Sequence, residues 1–280
     1  MVLGRLSWRW VQRLGDWLGA WLVWTSSDTL AVVRANIDHC FPEQSEDARR
    51  RLMVQSVRYF GRVSLEMAWV WRQTPEAVLA RVKAVHGHEH ITQAMDAGRG
   101  VVLLAPHLGN WEVLSLWVAS QWPVTSMYQP GKYPELDQFV KNARSRLNSQ
   151  LVPTTRRGIA QLLSVLKAGG AVGVLPDQEP PPQSGVFVPL FGQPALTTTL
   201  SVKLVQHTQA AVLCVFAQQR SDGDYEIVCL PAHDDVGSGD VEAACAAMNR
   251  SIEQCIAHCP EQYQWSYKRF KTGDHGLIYK

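Results

Sequence analysis

The 280-residue chain predicts an α/β protein: a central, mostly parallel sheet with flanking helices, preceded by a helical N-terminal region. Three observations carry this. Short runs at 101–105, 124–128, 171–175, 211–217 and 225–230 have the length of strands. Those at 101–105 and 171–175 hold no polar side chain, the pattern of strands buried on both faces. Helical segments alternate with them, as βαβ connections require. Strand-like runs are missing before about residue 80, so residues 1–80 read as helical and residues 81–280 as the α/β domain.

The elements follow in order. Five of the 11 tryptophans lie in the first 24 residues: Trp8, Trp10, Trp17, Trp21 and Trp24. Leu3, Leu6, Trp10, Leu14, Trp17, Trp21 and Trp24 recur at spacings of three and four, one helical face, while Arg5, Arg9 and Arg13 line another. Tryptophan with a basic edge suits a helix lying in a headgroup region. The alternative is a helix packed on its own domain, but tryptophan is a poor routine core filler, so a membrane-binding helix is expected. No run reaches the roughly 20 apolar residues of a membrane span, and no signal-peptide pattern opens the chain. A helix over 26–37 is broken at Phe41-Pro42-Glu43. Ser45 caps the next, over 46–58, and 61–71 continues helical. Thr74-Pro75-Glu76 starts a further short helix.

His86, His88 and His90 alternate as ligands on a strand would, but Gly87 between them argues for a strand, a turn and a helix start. The six cysteines show no paired metal spacing. Cys255 and Cys259 flank His258 without a second ligand pair, so no metal is expected, and a reducing compartment fits. A net charge of +2 is nearly balanced and suggests no nucleic-acid partner.

The apolar run at 101–105 ends in Pro106-His107; Leu108-Gly109-Asn110 is turn chemistry, and Asn110 is a helix N-cap ahead of Trp111. His107 is thereby placed at the carboxyl end of a strand, where open α/β sheets keep their ligands. Glu112 follows in the first helical turn, where the helix dipole favours its ionised form and its carboxylate can point back at the imidazole. Such a histidine is a candidate general base, with Glu112 its partner. Between Lys132 and Arg157 stand six basic residues against Glu135 and Asp137. Most of these form a solvated face, but Arg144, in a helix expected over 136–147, follows a strand end adjoining the catalytic one. Its planar fork suits a phosphate or an oxyanion. Arg156 and Arg157 precede a helix over 159–168, beside its anion-friendly N-terminus. Gly169-Gly170 closes that helix, so with Gly173 it forms no dinucleotide fingerprint. Asp177 and Gln178, in Pro176-Asp177-Gln178, end the strand at 171–175 on the rim that carries His107, and are candidate substrate-binding residues. Thr197-Thr198-Thr199 caps a helix over 200–207, and 241–258 is a last long helix. The lack of a G-x-S-x-G elbow disfavours a serine hydrolase.

His107-Leu108-Gly109-Asn110-Trp111-Glu112 resembles the HX4D/E signature of glycerolipid and lipid A acyltransferases. Its wording is similar to that of the late (lauroyl/myristoyl) acyltransferases of lipid A assembly. Ala35-Asn36, Cys40-Phe41-Pro42-Glu43, the string Pro176-Asp177-Gln178 through Gly185–Gly192 to Thr197-Thr198-Thr199, and the tail from Pro260 to Lys271 resemble the same family; the FPEGT motif of phospholipid-making relatives is absent. Ser266-Tyr267 departs from the family's pattern, leaving any tail contact with phosphate to Lys268 and Arg269. The resemblance implies an O-acyltransferase without a cofactor. In it His107 is the base, Arg144 steadies the oxyanion, and Arg156 and Arg157 touch phosphate or a carrier protein. It further implies acyl carrier protein as donor, a lipid A precursor as acceptor, and a place on the cytoplasmic face of the inner membrane. Another lyso- or glycolipid acceptor, or a non-catalytic membrane-surface scaffold, are the other readings.

Overall fold

The computed structural model describes residues 6–279, the side chains of residues 274–276 excepted. The strands are β1 (Val82–His86), β2 (Val101–Leu104), β3 (Val124–Tyr128), β4 (Ser149–Pro153), β5 (Ala171–Val174), β6 (Gly185–Leu190), β7 (Gln193–Thr198), β8 (Ala211–Gln219) and β9 (Tyr225–Pro231). Seven of them form one sheet in the order β1-β9-β8-β2-β5-β3-β4. The five from β8 to β4 run parallel; β9 is antiparallel to β8, and β1 follows β9. The expected mostly parallel sheet is therefore present. The segment at 185–198 stays outside it as an antiparallel hairpin of β6 and β7.

The helices are α1 (Trp8–Trp24), α2 (Asp28–Cys40), α3 (Glu46–Val70), α4 (Pro75–Leu79), α5 (Glu89–Asp96), α6 (Trp111–Gln121), α7 (Pro134–Arg144), α8 (Arg156–Lys167), α9 (Leu200–Thr208) and α10 (Val241–His258). They cover both sheet faces, and strand alternation divides the core in two. Val102, Leu104, Val172, Val174, Cys214 and Phe216 face Leu162 of α8, Leu204 of α9 and Ile252 of α10. Val101, Leu103, Ala171, Leu213 and Val215 face Ile91 of α5 and Val113 and Trp117 of α6. A buried side chain of this size contributes about 1.5–3 kcal/mol, which is why β2 and β5 tolerate no polar residue.

Helix α3 is one helix where the sequence suggests two segments, and α2 starts two residues later and ends three later than expected. Ser45 accepts the Ala48 N–H at 3.2 Å, as its place before α3 predicts. Helix α1 lies against α3 through Gly15 and Gly19: a Cβ at either would stand 2.5 Å from the Cα of Arg62 or Arg58. Only glycine allows that approach. Trp8 and Val11 share this inner side, while Trp10, Leu14, Trp17, Trp21 and Trp24 face outward, Trp17 and Trp24 being 79% and 81% exposed. Leu3 and Arg5 of the expected face and basic edge lie outside the described residues. Among the described residues, no helix is long and apolar enough to cross a membrane. His86 ends β1, Gly87 turns with φ +73°, and His90 lies within α5, so the three histidines share no face. All six cysteines are buried free thiols, and no three metal-ligating side chains cluster among the described residues.

Candidate active site

Strand register builds the site. Leu104 of β2 is paired with Val174 of the adjacent parallel β5, and each strand continues through a proline to a polar residue three positions on. His107 and Asp177 thus leave the sheet side by side. The imidazole Nδ1 lies 2.9 Å from Asp177 Oδ1, and the His107 backbone N–H donates to Asp177 Oδ2 at 2.8 Å. Asp177 is buried. Burial alone pushes its carboxyl up, but the His107 charge and the hydrogen bonds from His107 outweigh that and hold it below the usual aspartate value. A carboxylate on Nδ1 keeps the ring proton there and leaves Nε2 as the basic atom. Gln178 Nε2 stands 3.3 Å from that Nε2, and also donates to Gln264 Oε1 at 3.0 Å. The Gln264 N–H donates to the His107 carbonyl at 3.0 Å, and the Trp111 ring stands edge-on to the imidazole at 5.0 Å.

The expected His107–Glu112 contact is not made; this is a correction. The partner of Glu112 is Arg144. Arg144 Nε donates to both carboxylate oxygens, at 3.0 and 3.2 Å, and Nη2 donates to Oε1. Glu112 is buried and the Arg144 side chain 31% exposed. Burial works against the guanidinium, but Glu112 overcomes it and raises the Arg144 pKa. The reason for the exchange is tertiary. Glu112 sits in the first turn of α6, where Arg144 at the end of α7 reaches it, whereas Asp177 arrives from the neighbouring strand at the level of His107. Arg144 is accordingly at the site, as an ion-pair partner with Nη1 outside the pair.

The turn between His107 and α6 is closely held. Gly109 has φ +65°, and a Cβ there would collide with the Ala217 carbonyl. Gly109 N–H donates to the Gln262 carbonyl at 3.1 Å and Asn110 N–H to the Ala217 carbonyl at 3.0 Å. Asn110 caps α6 as expected, accepting from the N–H groups of Glu112 and Val113, both at 3.2 Å.

Beside His107 is a cavity of about 450 Å³, lined by His107, Gln178, Glu112, Arg144 and Tyr128 and by apolar side chains including Leu103, Leu114, Val118, Leu151 and Val215. Its size falls within the range usual for small-molecule sites. It brings together four of the seven residues expected at the site, His107, Glu112, Arg144 and Gln178, with Asp177 just behind His107. Arg156 and Arg157 are not among its lining residues. They are exposed in the first turn of α8, which begins at Arg156 and not at 159, two and three residues past Thr154 of the cavity wall. Arg269 is also redirected: it is buried and donates to the Leu196 carbonyl at 2.8 Å and to Thr197 Oγ1 at 3.1 Å, a strut unavailable to phosphate. Gln264 is the site residue that the sequence did not single out. Its signal was its place in the closing motif, whose contact with the rim only the fold reveals.

A strand-end histidine is thus held by a buried carboxylate on Nδ1 and by Gln178 on Nε2, at the wall of a largely apolar cavity, an arrangement in which a general base can serve a hydrophobic substrate. The chain belongs to the bacterial lipid A biosynthesis acyltransferase family, which matches residues 1–272. It is similar to the lipid A biosynthesis lauroyltransferase of Escherichia coli (strain K12), 32% identical over 271 residues that cover 95% of this chain and 87% of the relative. The palmitoleoyltransferase of the same organism is 27% identical over 95% of this chain and 88% of its own length. The myristoyltransferase is 27% identical over 99% and 82%.

Proposed function

We propose that this acyltransferase moves a fatty acyl chain from an acyl carrier protein thioester to a hydroxyl of a lipid A precursor, working at the cytoplasmic face of the inner membrane. The observation that carries the reading is the His107–Asp177 pair at the wall of an apolar cavity. His107 Nε2 removes the hydroxyl proton as the oxygen attacks the thioester carbonyl. Asp177 steadies the imidazolium that forms. Collapse of the tetrahedral intermediate breaks the C–S bond, and the proton passes from Nε2 to the departing sulfur, giving the ester and a free thiol. The Arg144 Nη1 outside the Glu112 pair and nearby backbone N–H groups are the donors available to the oxyanion, with Gln178 Nε2 joining them once the substrate hydroxyl replaces it on His107 Nε2; such a role is typically worth about 3–4 kcal/mol per donor.

Two features support the donor and the location. The first turn of α8 holds Arg156 and Arg157 and no acid. Cations at a helix N-terminus are unfavourable by themselves and become favourable beside an anion, such as a phosphate or an acidic carrier protein. The outward tryptophans of α1 would bury in the headgroup layer. Each acyl CH₂ drawn into water costs about 0.8 kcal/mol, so an enzyme at the interface avoids extracting its substrates. The test is acyl transfer from an acyl carrier protein thioester to a lipid A precursor in vesicles. The wild-type chain should form the ester and folded His107→Ala should not; undiminished transfer by His107→Ala would overturn the reading.

A further inference from the structure

Next to the catalytic turn lies a buried polar chain that the chemistry above does not use. Glu66 of α3 and Tyr225 of β9 are fully buried. Glu66 Oε2 accepts the Tyr225 hydroxyl proton, and Oε1 accepts from Gln219 Nε2 at 2.7 Å and from Gln12 Nε2 of α1 at 3.4 Å. The Tyr225 oxygen accepts in turn from Asn110 Nδ2 at 3.0 Å. Asn110 Oδ1, as described, accepts the first free N–H groups of α6.

These bonds have a fixed direction. The cap requires the oxygen of the Asn110 amide toward the helix, so its NH₂ must face Tyr225. The tyrosine oxygen can accept that bond cleanly only if its single proton points elsewhere, toward Glu66. Glu66 offers two acceptor oxygens only when ionised. An ionised carboxylate without water is costly to keep, and removing its partners is costlier still.

We propose that Glu66 and Tyr225 are positioning residues for acyl transfer: together they set the direction of the Asn110 amide, and through it the turn from His107 into α6. The proposal rests on the reading of His107 as the base. Gln12 joins the same chain of bonds from α1, so the tryptophan-faced helix and the catalytic turn share one polar network.

Protonation of Glu66 would reverse the chain, because its new O–H competes with the Asn110 amide for the Tyr225 oxygen. Burial pushes the Glu66 carboxyl up to about 7, against the lowering effect of Tyr225, Gln219, Arg62 and Gln12. The groups facing it are Arg62 and Tyr59 of its own helix, Gln12 of α1, and Gln219 and Tyr225 of the sheet. Asp16 of α1 is itself held by Arg62 at 2.8 Å.

The test measures kcat and KM against pH for the full chain, Glu66→Gln, Tyr225→Phe and His107→Ala, with folding checked by circular dichroism. The two positioning variants should lose about tenfold or more in kcat with KM within about twofold, a rise of roughly 1.4 kcal/mol or more in the barrier. The acid limb of kcat should be one proton steeper in wild type than in Glu66→Gln. If these two variants do not fold, Asn110→Asp keeps an oxygen for the helix but has no N–H for Tyr225, and should show the same loss of kcat. Folded variants with wild-type kcat and an unchanged acid limb would overturn the inference while His107→Ala remains inactive. Activity in His107→Ala would instead overturn the function on which it rests.

Discussion

At the rim of the sheet, His107, Glu112 and Asp177 are withdrawn from water and each is hydrogen-bonded to protein. On the outer face of α1 the opposite is done: Trp10, Trp17, Trp21 and Trp24 are each more than half exposed to solvent. Both arrangements are unfavourable for a protein that only needs to fold. Buried charges need partners to be tolerated, and a contiguous apolar patch marks a surface that something covers. The rim explains its cost by chemistry, since each buried charge there faces an oppositely charged group. The helix face has no comparable compensation within the protein, and the proposed membrane contact would supply it. The inner face of the same helix, with Gly15 and Gly19 against α3, sharpens the contrast: α1 is docked firmly, and its tryptophans are what the docking leaves outside.

Breaking the rim should have the largest effects on folding. Arg144→Ala leaves Glu112 buried without its cation, and should lower stability by about 3–5 kcal/mol in denaturant unfolding. Arg144→Lys should recover only part, because an ammonium cannot reproduce the two-pronged bond to the carboxylate. Next comes Glu66. Its folded-state value lies above its unfolded one, so the folded chain holds the proton more tightly between pH 4.5 and about 7, and stability falls as pH rises through that window. The loss is on the order of 2–3 kcal/mol. Thermal melts from pH 5 to pH 8 should show Glu66→Gln losing less stability than wild type. Asp177 runs the other way: its contribution is present above the ordinary carboxylate range and is lost only as pH falls through its depressed value.

The helix face should respond in binding and not in folding. Trp17→Ala with Trp24→Ala should weaken association with vesicles by about 1–3 kcal/mol while leaving the melting temperature unchanged. Smallest is the electrostatic part. Arg9→Glu and Arg13→Glu should each weaken binding to anionic vesicles by roughly 1 kcal/mol, a difference that disappears at high salt; equal binding to neutral and anionic vesicles would remove it.

The features legible in the sequence were those a single segment fixes. Uninterrupted apolar runs announced β2 and β5, Asn110 announced the start of α6, and the tryptophan spacing announced the outer face of α1. The partnership of His107 was not legible. Glu112 is five residues away along the chain and Asp177 is seventy, and nearness in sequence favoured the wrong carboxylate. The clue was present in a repeated ending: Leu104-Ala105-Pro106-His107 and Val174-Leu175-Pro176-Asp177 leave buried strands in the same way. Only the strand order, which makes β2 and β5 neighbours, turns that repetition into a contact. The Glu66–Tyr225–Asn110 chain was hidden for the same reason, since its members come from α3, β9 and the catalytic turn.

The pairing of His107 is open to one direct measurement: single-turnover acyl transfer by Asp177→Asn and Glu112→Gln, side by side, with donor binding measured in parallel. Asparagine keeps the shape of Asp177 but cannot balance the imidazolium, so the chemical step should slow by about 10²–10⁴-fold with donor binding intact. Glu112→Gln, which changes the partner of Arg144 and not that of His107, should lose much less of that step. Near-normal transfer by Asp177→Asn, together with the larger loss in Glu112→Gln, would show that the working base is held by Glu112 and would contradict the His107–Asp177 pairing.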